Sequence, residues 1–311
     1  MQTTSHLLMI RPVNFMFNAE TAVNNAFQVA DMNEDVQKKA SDEFDEFVNT
    51  LKKNALDVMV IYDTPEPHTP DSIFPNNWIS FHHNGTLCLY PMFAENRRRE
   101  RNPEIIQIIS EKFKIHKLID FSYYENDNLF LEGTGSMVLD RDYRIAYACT
   151  SARTDSKVLK DFGKTMGYKC VEFNAVDENG RPIYHTNVMM CVAEKYVVIN
   201  LNSIHDSEEK ENVIEAIEDS KKELIKINHE QMNHFAGNML QVKNALGEKI
   251  LVMSTQAYES LEADQIKKLS KYNRIIHSKL NTIETIGGGS ARCMLAEIHL
   301  PERKNGQQQK F

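Results

Sequence analysis

The chain has 311 residues, enough for two domains or one large core, which excludes a disulfide miniprotein or an isolated binding motif. Hydrophobic residues make up 41% and charged residues 26%, the balance of a globular protein and not of a disordered chain, collagen or a membrane bundle. Thirty-six basic against forty-four acidic residues leave a net charge of −8 with no basic run beyond Arg97-Arg98-Arg99, which speaks against a nucleic-acid partner.

In chain order, the first apolar run is Leu7–Ile10. A period-3.6 stripe of Val36, Ala40, Phe44, Phe47, Val48 and Leu51 then predicts a helix over Asn33–Leu51. A β-branched run, Asp57–Tyr62, predicts a buried strand, and Asn77–Phe81 with Thr86–Tyr90 predicts a hairpin across Asn84-Gly85, residues that tolerate positive φ. The same order recurs: helix Pro103–Phe113, then strands near Lys117–Phe121, Ser136–Leu139 and Arg144–Ala148. A third unit has helix Ser156–Met166, strand Lys169–Phe173 and hairpin strands Val188–Val192 and Tyr196–Asn200. A fourth opens on Ser207–Ile227 and continues with Asn238–Val242 and Lys249–Met253. A fifth has Leu261–Leu269, Asn273–Ser278 and a strand near Met294–Ile298, whose missing partner is expected to be Leu7–Ile10.

Helices therefore begin near residues 33, 103, 156, 207 and 262, a period of ~50 to 70 residues that radial or stacked repeats produce. The expectation is a single α/β domain over residues 1–311, closed into a ring by its N-terminal strand, with 301–311 as a flexible tail; the alternative is an ordinary α/β protein with regular spacing. No stretch reaches the ~18 apolar residues of a membrane span and the start lacks a secretory pattern, so no membrane partner and a cytoplasmic location are expected. Five cysteines at wide spacings, without C-x-x-C, argue against a disulfide framework or a cysteine zinc site.

Polar residues fall at matching places in the units. The segments entering each middle strand are expected to approach the ring axis: Pro70–Asn77 in unit one, Leu131-Glu132-Gly133-Thr134-Gly135 in unit two, Tyr184-His185-Thr186-Asn187 in unit three and Gly287–Cys293 in unit five. A thiol, an imidazole and a carboxylate would then meet. Cysteine is a nucleophile as the thiolate, histidine exchanges protons near neutrality, and a carboxylate can orient the histidine or a nitrogen-rich substrate. Cys149 and Cys191, inside apolar strands, read as small buried hydrophobes, whereas Cys293 follows glycines that let backbone approach a ligand. Taken singly, His185 also fits a satisfied core histidine and Glu132 a loop carboxylate; their shared place in the repeat lifts them.

Other motifs fail on spacing. His229 and His234 are five apart and do not reproduce the i, i+4 pair of a zinc helix, so no metal is expected. Gly287–Gly289 lacks nucleotide-loop spacing and precedes a predicted strand. The mixed charges of Glu208–Glu223 read as a solvated helix face, and Trp78 as core.

The set Phe74-Pro75-Asn76-Asn77, Leu131-Glu132-Gly133, Tyr184-His185-Thr186-Asn187 and Gly287-Gly288-Gly289-Ser290-Ala291-Arg292-Cys293 resembles the amidinotransferase or guanidino-modifying (pentein) superfamily over nearly the whole chain. The opening, Arg11–Asn18 with Glu20-Thr21 and Asn24–Gln28, is similar to the citrulline-utilisation hydrolase branch, related to arginine deiminases. The resemblance implies a five-bladed α/β propeller, no cofactor, a small amino-acid substrate, a covalent intermediate on cysteine, and leaves room for a homo-oligomer. Carried over, Cys293 is the nucleophile, His185 the general acid and base, and Glu132 the carboxylate that positions histidine and substrate. Asp71 would hold the terminal nitrogens, and Arg97 and Arg153 would grip the substrate carboxylate, for which a guanidinium fork is suited. Asn18–Gln28 would supply a lid.

Asn77 and Asn187 stand where deiminase relatives often carry acids. A neutral amide suits a neutral ureido group, whereas a guanidinium favours carboxylates. The resulting expectation is a hydrolase that converts citrulline to ornithine, ammonia and carbon dioxide; the alternatives are an arginine deiminase or hydrolase of an N-modified arginine, and a non-catalytic binding member of the same fold.

Overall fold

The structure, a computed structural model, describes residues 1–30 and 35–303. The stripe from Val36 to Leu51 is buried along one face of the helix Val36–Lys53; the expected start at Asn33 lies outside the described residues. Burying Phe44, Phe47 and Leu51 there contributes roughly 1.5–3 kcal/mol per side chain.

The strands pair locally and close globally. β1 (His6–Arg11) lies parallel to β2 (Asp57–Tyr62). β3 (Ile79–Phe81) and β4 (Thr86–Leu89) form an antiparallel hairpin, and β5 (Lys117–Asp120) returns parallel to β4 after the helix Pro103–Lys112. The same construction gives β6 (Val138–Asp140), β7 (Ile145–Cys149) and β8 (Lys169–Phe173), then β9 (Met190–Val192), β10 (Tyr196–Ile199) and β11 (Glu223–Lys226), then β12 (Leu240–Lys243), β13 (Lys249–Ser254) and β14 (Arg274–Ser278). β15 (Ala296–Glu297) runs back antiparallel to β1, with Leu7 opposite Glu297 and Leu8 opposite Ala296. Five three-stranded sheets result among the described residues, a five-bladed α/β propeller whose last blade is completed by the N-terminal strand, as expected.

The phase of the repeat differs from the sequence reading. Each blade is hairpin, helix, then outer strand, because a parallel partner needs a crossover and the strand after each helix returns beside the strand before it. The polar segments consequently lead into the first, innermost strand of each blade and not the middle one. Asn77, Ser136 and Val188, read as strand residues, belong to short helical turns, Pro75–Asn77, Gly133–Ser136 and Thr186–Met189, which redirect the chain into β3, β6 and β9. In the fourth unit the helix Ser207–Asp219 stops at a turn with Lys221 at φ 55°, and β11 follows; its four residues, flanked by charge, carry no visible alternation. The helix near Leu261 divides into Thr255–Ser260 and Ala263–Ser270, and a helix not anticipated, Asn281–Gly287, delivers the glycine run.

Part of the expected tail is docked: Glu302 bridges to Phe113, and Arg303 N–H donates to the Lys112 carbonyl. Residues 304–311 lie outside the described residues. No helix among the described residues is long and apolar enough to cross a membrane.

Candidate active site

The innermost turns of the blades meet at one end of the ring. Cys293, His185, Asp71, Asn77, Arg97 and Arg153 all line one small cavity, roofed by Thr21 and Asn25 and floored by Phe74, Tyr184 and Gly287–Gly289. Glu132 and Asn187 are not on the cavity wall but bond to residues that are, Glu132 to His185 and Asn187 to the Cys293 sulfur. The cavity holds about 10 Å³, room for roughly one water centre.

Glu132 is fully buried, with Oε2 2.8 Å from His185 Nε2 and Oε1 accepting the Phe93 N–H at 2.9 Å. Burial pushes this carboxyl up, but the Arg153 guanidinium at 3.6 Å and the histidine hydrogen bond prevail and hold it well below the ordinary range. His185 is pulled the other way: burial lowers its pKa, Glu132 opposes, Arg153 and Arg97 add to the lowering, and the net shift is down. The ring is therefore neutral at neutral pH, with Nε2 fixed on Glu132 and Nδ1 free of hydrogen bonds to described residues. Gly135 makes this packing feasible, since a Cβ there would stand 2.4 Å from Asn77 Nδ2 and 2.8 Å from the His185 ring.

Cys293 follows the turn that begins at Gly288, whose φ of 64° favours glycine and whose absent side chain admits Asn25. Two amides donate to its sulfur, Asn187 Nδ2 at 3.4 Å and Asn238 Nδ2 at 3.2 Å. Asn238 also donates to the Asn187 carbonyl and accepts the Arg292 N–H at 3.0 Å, tying two blades to the sulfur. Sequence reasoning missed it. The signal was Phe235-Ala236-Gly237-Asn238, the fourth blade's entry segment, which carries no charged or nucleophilic group. Burial raises the thiols of Cys88, Cys149 and Cys191, to about 12, 11 and 12.

Asp71 Oδ2 accepts Asn18 Nδ2 at 2.8 Å and Thr21 Oγ1 at 2.9 Å, while its Oδ1 has no hydrogen-bond partner. Burial raises its pKa against the opposing pull of Arg97, Asn18 and Thr21. Arg97 is almost fully committed inside the protein: it forks onto Glu100 at 2.8 and 2.9 Å, and donates to Asn77 Oδ1 and to the Asp71 and Phe74 carbonyls. Arg153 clasps the roof, donating to the Thr21 carbonyl at 2.6 Å and to Asn24 Oδ1 at 2.7 Å, with its guanidinium 4.8 Å from the Tyr184 ring centroid. The roof is further pinned by Asn25 to the Gly288 carbonyl, Gln28 to the Ile286 carbonyl and the Val29 N–H to the Thr285 carbonyl.

One further group of potential ligands, His6, Asp57 and Glu302, lies away from the cavity. His6 meets Asp57 through Nδ1 and Glu302 through Nε2, opposite sides of one ring, and Lys112 also pairs with Asp57, so the group is an ion-pair network that fastens Glu302.

No curated protein sequence matches the chain significantly. Among solved structures, the N-terminal domain of ArgZ, an arginine dihydrolase from the ornithine-ammonia cycle in cyanobacteria, superposes with a TM-score of 0.75 at 18% identity, covering 95% of this chain and 98% of that domain. Against intact ArgZ the chain covers only 41% of the other protein's length. A dimethylarginine dimethylaminohydrolase adduct superposes with a TM-score of 0.64 at 16% identity, covering 95% of this chain and 100% of that one. At such identities these likenesses speak for the fold alone. The family model described as N,N dimethylarginine dimethylhydrolase, eukaryotic, matches residues 11–300, nearly the entire chain, and the protein is a member of that family.

Proposed function

We propose that the protein is a thiol hydrolase that cleaves a C–N bond at the guanidinium carbon of arginine or an Nω-substituted arginine, with Nω,Nω-dimethyl-L-arginine as the first substrate to test. The observation that carries this reading is an orphan acceptor on the cavity wall: Asp71 lines the cavity and its Oδ1 is buried without a partner. A guanidinium presents only N–H donors, which such acceptors take. A guanidinium also carries the positive charge that a buried carboxylate such as Asp71 favours, whereas a neutral ureido group forgoes that pairing. The citrulline expectation thus gives way to its alternative. The family match supports the same choice.

In this reading Cys293 passes its thiol proton to the neutral His185 and the resulting thiolate attacks the guanidinium carbon; the C–N bond breaks, and the departing amine takes that proton from His185, leaving an S-alkylthiouronium on the enzyme. His185, now neutral, accepts a proton from water; the hydroxide adds to the same carbon and the C–S bond breaks, giving citrulline and thiolate, with the remaining proton taken by the released amine. Glu132 stabilises the imidazolium that forms within each of the two steps. We assign Arg97 to holding Asp71 and Asn77 in place and not to gripping a substrate carboxylate, because its donors are spent on Glu100 and its neighbours. Arg153 is the better carboxylate partner, since the bonds it makes to Thr21 and Asn24 are released when the roof lifts. The roof, residues 18–29, has to lift, because the closed cavity is far smaller than an amino acid.

The test is incubation with dimethylarginine, arginine and citrulline, following citrulline and ornithine. Citrulline formed from either of the first two is expected; ornithine from citrulline alone would sink the proposal. Asp71→Asn removes a charge-assisted acceptor worth about 1.5–3 kcal/mol, so kcat/KM for the guanidino substrate should fall roughly tenfold to hundredfold. Asn238→Ala removes a donor to the sulfur and leaves the Arg292 N–H unpaired, at a cost of about 1–3 kcal/mol. Its effect should appear in kcat, with KM little changed, whereas a general loosening of the fold would move both.

A further inference from the structure

We infer that the protein carries a second small-molecule site, selective for a basic amino acid with a free carboxylate such as L-ornithine or L-arginine, on the outer side of the Asp71 layer. A cavity of about 370 Å³ opens there, separate from the catalytic one, between the loop after β2 and the start of the helix Pro103–Lys112. That volume is in the range of small-molecule pockets, about 300–1,000 Å³. Ser72 lines it, is 3% exposed, and its hydroxyl has no hydrogen-bond partner. A buried unpaired hydroxyl is costly and marks a place where a polar ligand atom fits.

The charges on the wall define the occupant. Glu100 is sealed against Arg97, and Arg101 pairs with Glu125. Glu104 sits on the first helical turn, where the backbone favours an acid. Among the described residues Asp63, Glu66 and Glu104 have no cationic partner, Glu104 being offset by its place at the helix start, and Arg99 has no anionic one. A basic amino acid at neutral pH carries two cationic groups and one carboxylate, the complement of this set.

The site is connected to the chemistry through short links. Ser72 and Trp78, both on the cavity wall, are chain neighbours of Asp71 and Asn77. Glu100, also on the wall, forks onto Arg97, which holds Asn77 Oδ1 and the Asp71 carbonyl. An occupant that shifts this layer changes how Asp71 meets substrate. The binding claim stands on the cavity alone; its meaning as sensing of substrate or product rests on the reaction proposed above.

Trp78 is the sole tryptophan of the chain and reports on this cavity. L-ornithine should titrate its fluorescence saturably and give a binding isotherm in calorimetry, with norleucine silent. The double variant Asp63→Asn, Arg99→Ala should weaken ornithine at least tenfold while the substrate KM stays unchanged. Wild-type affinity in that variant would mean that ornithine reads the catalytic cavity, and absence of both signals in the native protein would mean no site; either result overturns the proposal. Failure of the catalytic reading would show separately, as missing turnover alongside an intact ornithine titration.

Discussion

Replacing Cys293 with serine should abolish turnover of dimethylarginine and arginine, by at least about three orders of magnitude, and leave the thermal transition within a few degrees of the parent. A hydroxyl is nearly isosteric with the thiol, and Asn187 and Asn238 can donate to oxygen as they do to sulfur, so the site stays assembled. What is lost is the nucleophile: a hydroxyl is intrinsically far less acidic than a thiol, and a histidine of lowered pKa does not ionise serine at neutral pH. Collapse of the fold in this variant would return Cys293 to the role of a core residue. Activity retained at the parent level would remove it from the chemistry altogether.

Glu132→Gln is expected to have the next largest effect, a loss of roughly 10²–10⁴ in kcat of the kind seen when acid–base catalysis is removed. The amide preserves shape but not charge. It also leaves Arg153 and any imidazolium buried without their carboxylate, so stability should fall by a few kcal/mol. The pH dependence gives the sharper readout. Glu132 raises the pKa of His185 against the lowering by burial, Arg153 and Arg97. Without the carboxylate that pKa drops further, the protonated form needed to release the amine disappears at lower pH, and the alkaline limb of the rate profile should move to more acidic values. A stability readout follows from the same shift: the depressed carboxyl contributes stabilisation that is present above its unfolded pKa and lost as pH falls through the folded value. The parent should therefore lose more stability on acidification than the variant. An unchanged rate profile would detach Glu132 from the histidine's protonation.

Much of this architecture can be read from residues before any coordinates. The helix stripe from Val36 to Leu51 and the strand Asp57–Tyr62 follow from periodicity and a β-branched run, because local patterning decides those elements. Glu132, His185 and Cys293 stand out because each is a chemically unusual residue beside glycine or at an equivalent place in a repeat. The repeat phase is not legible in the same way, since it depends on which strands pair, a non-local choice. β11 is hidden by the charged residues around it. Asn238 is hidden because an asparagine after glycine looks like any turn, and only three-dimensional contact reveals that it touches the sulfur. The substrate preference is the instructive case: Asn77 and Asn187 suggest a neutral ligand by composition, but Asn77 Oδ1 is taken by Arg97, Asn187 is bound to the sulfur, and an unpartnered acceptor on the cavity wall is the carboxylate of Asp71.

The account turns on Cys293 being the atom that bonds to substrate, and alkylation tests it directly. The thiols of Cys88, Cys149, Cys170 and Cys191 are all raised by burial and should react slowly. Limiting iodoacetamide, followed by peptide mass spectrometry and turnover on the same samples, should show label on Cys293 rising one-for-one with lost activity, and dimethylarginine should protect both. Protein fully alkylated at Cys293 that still turns over substrate would contradict the account.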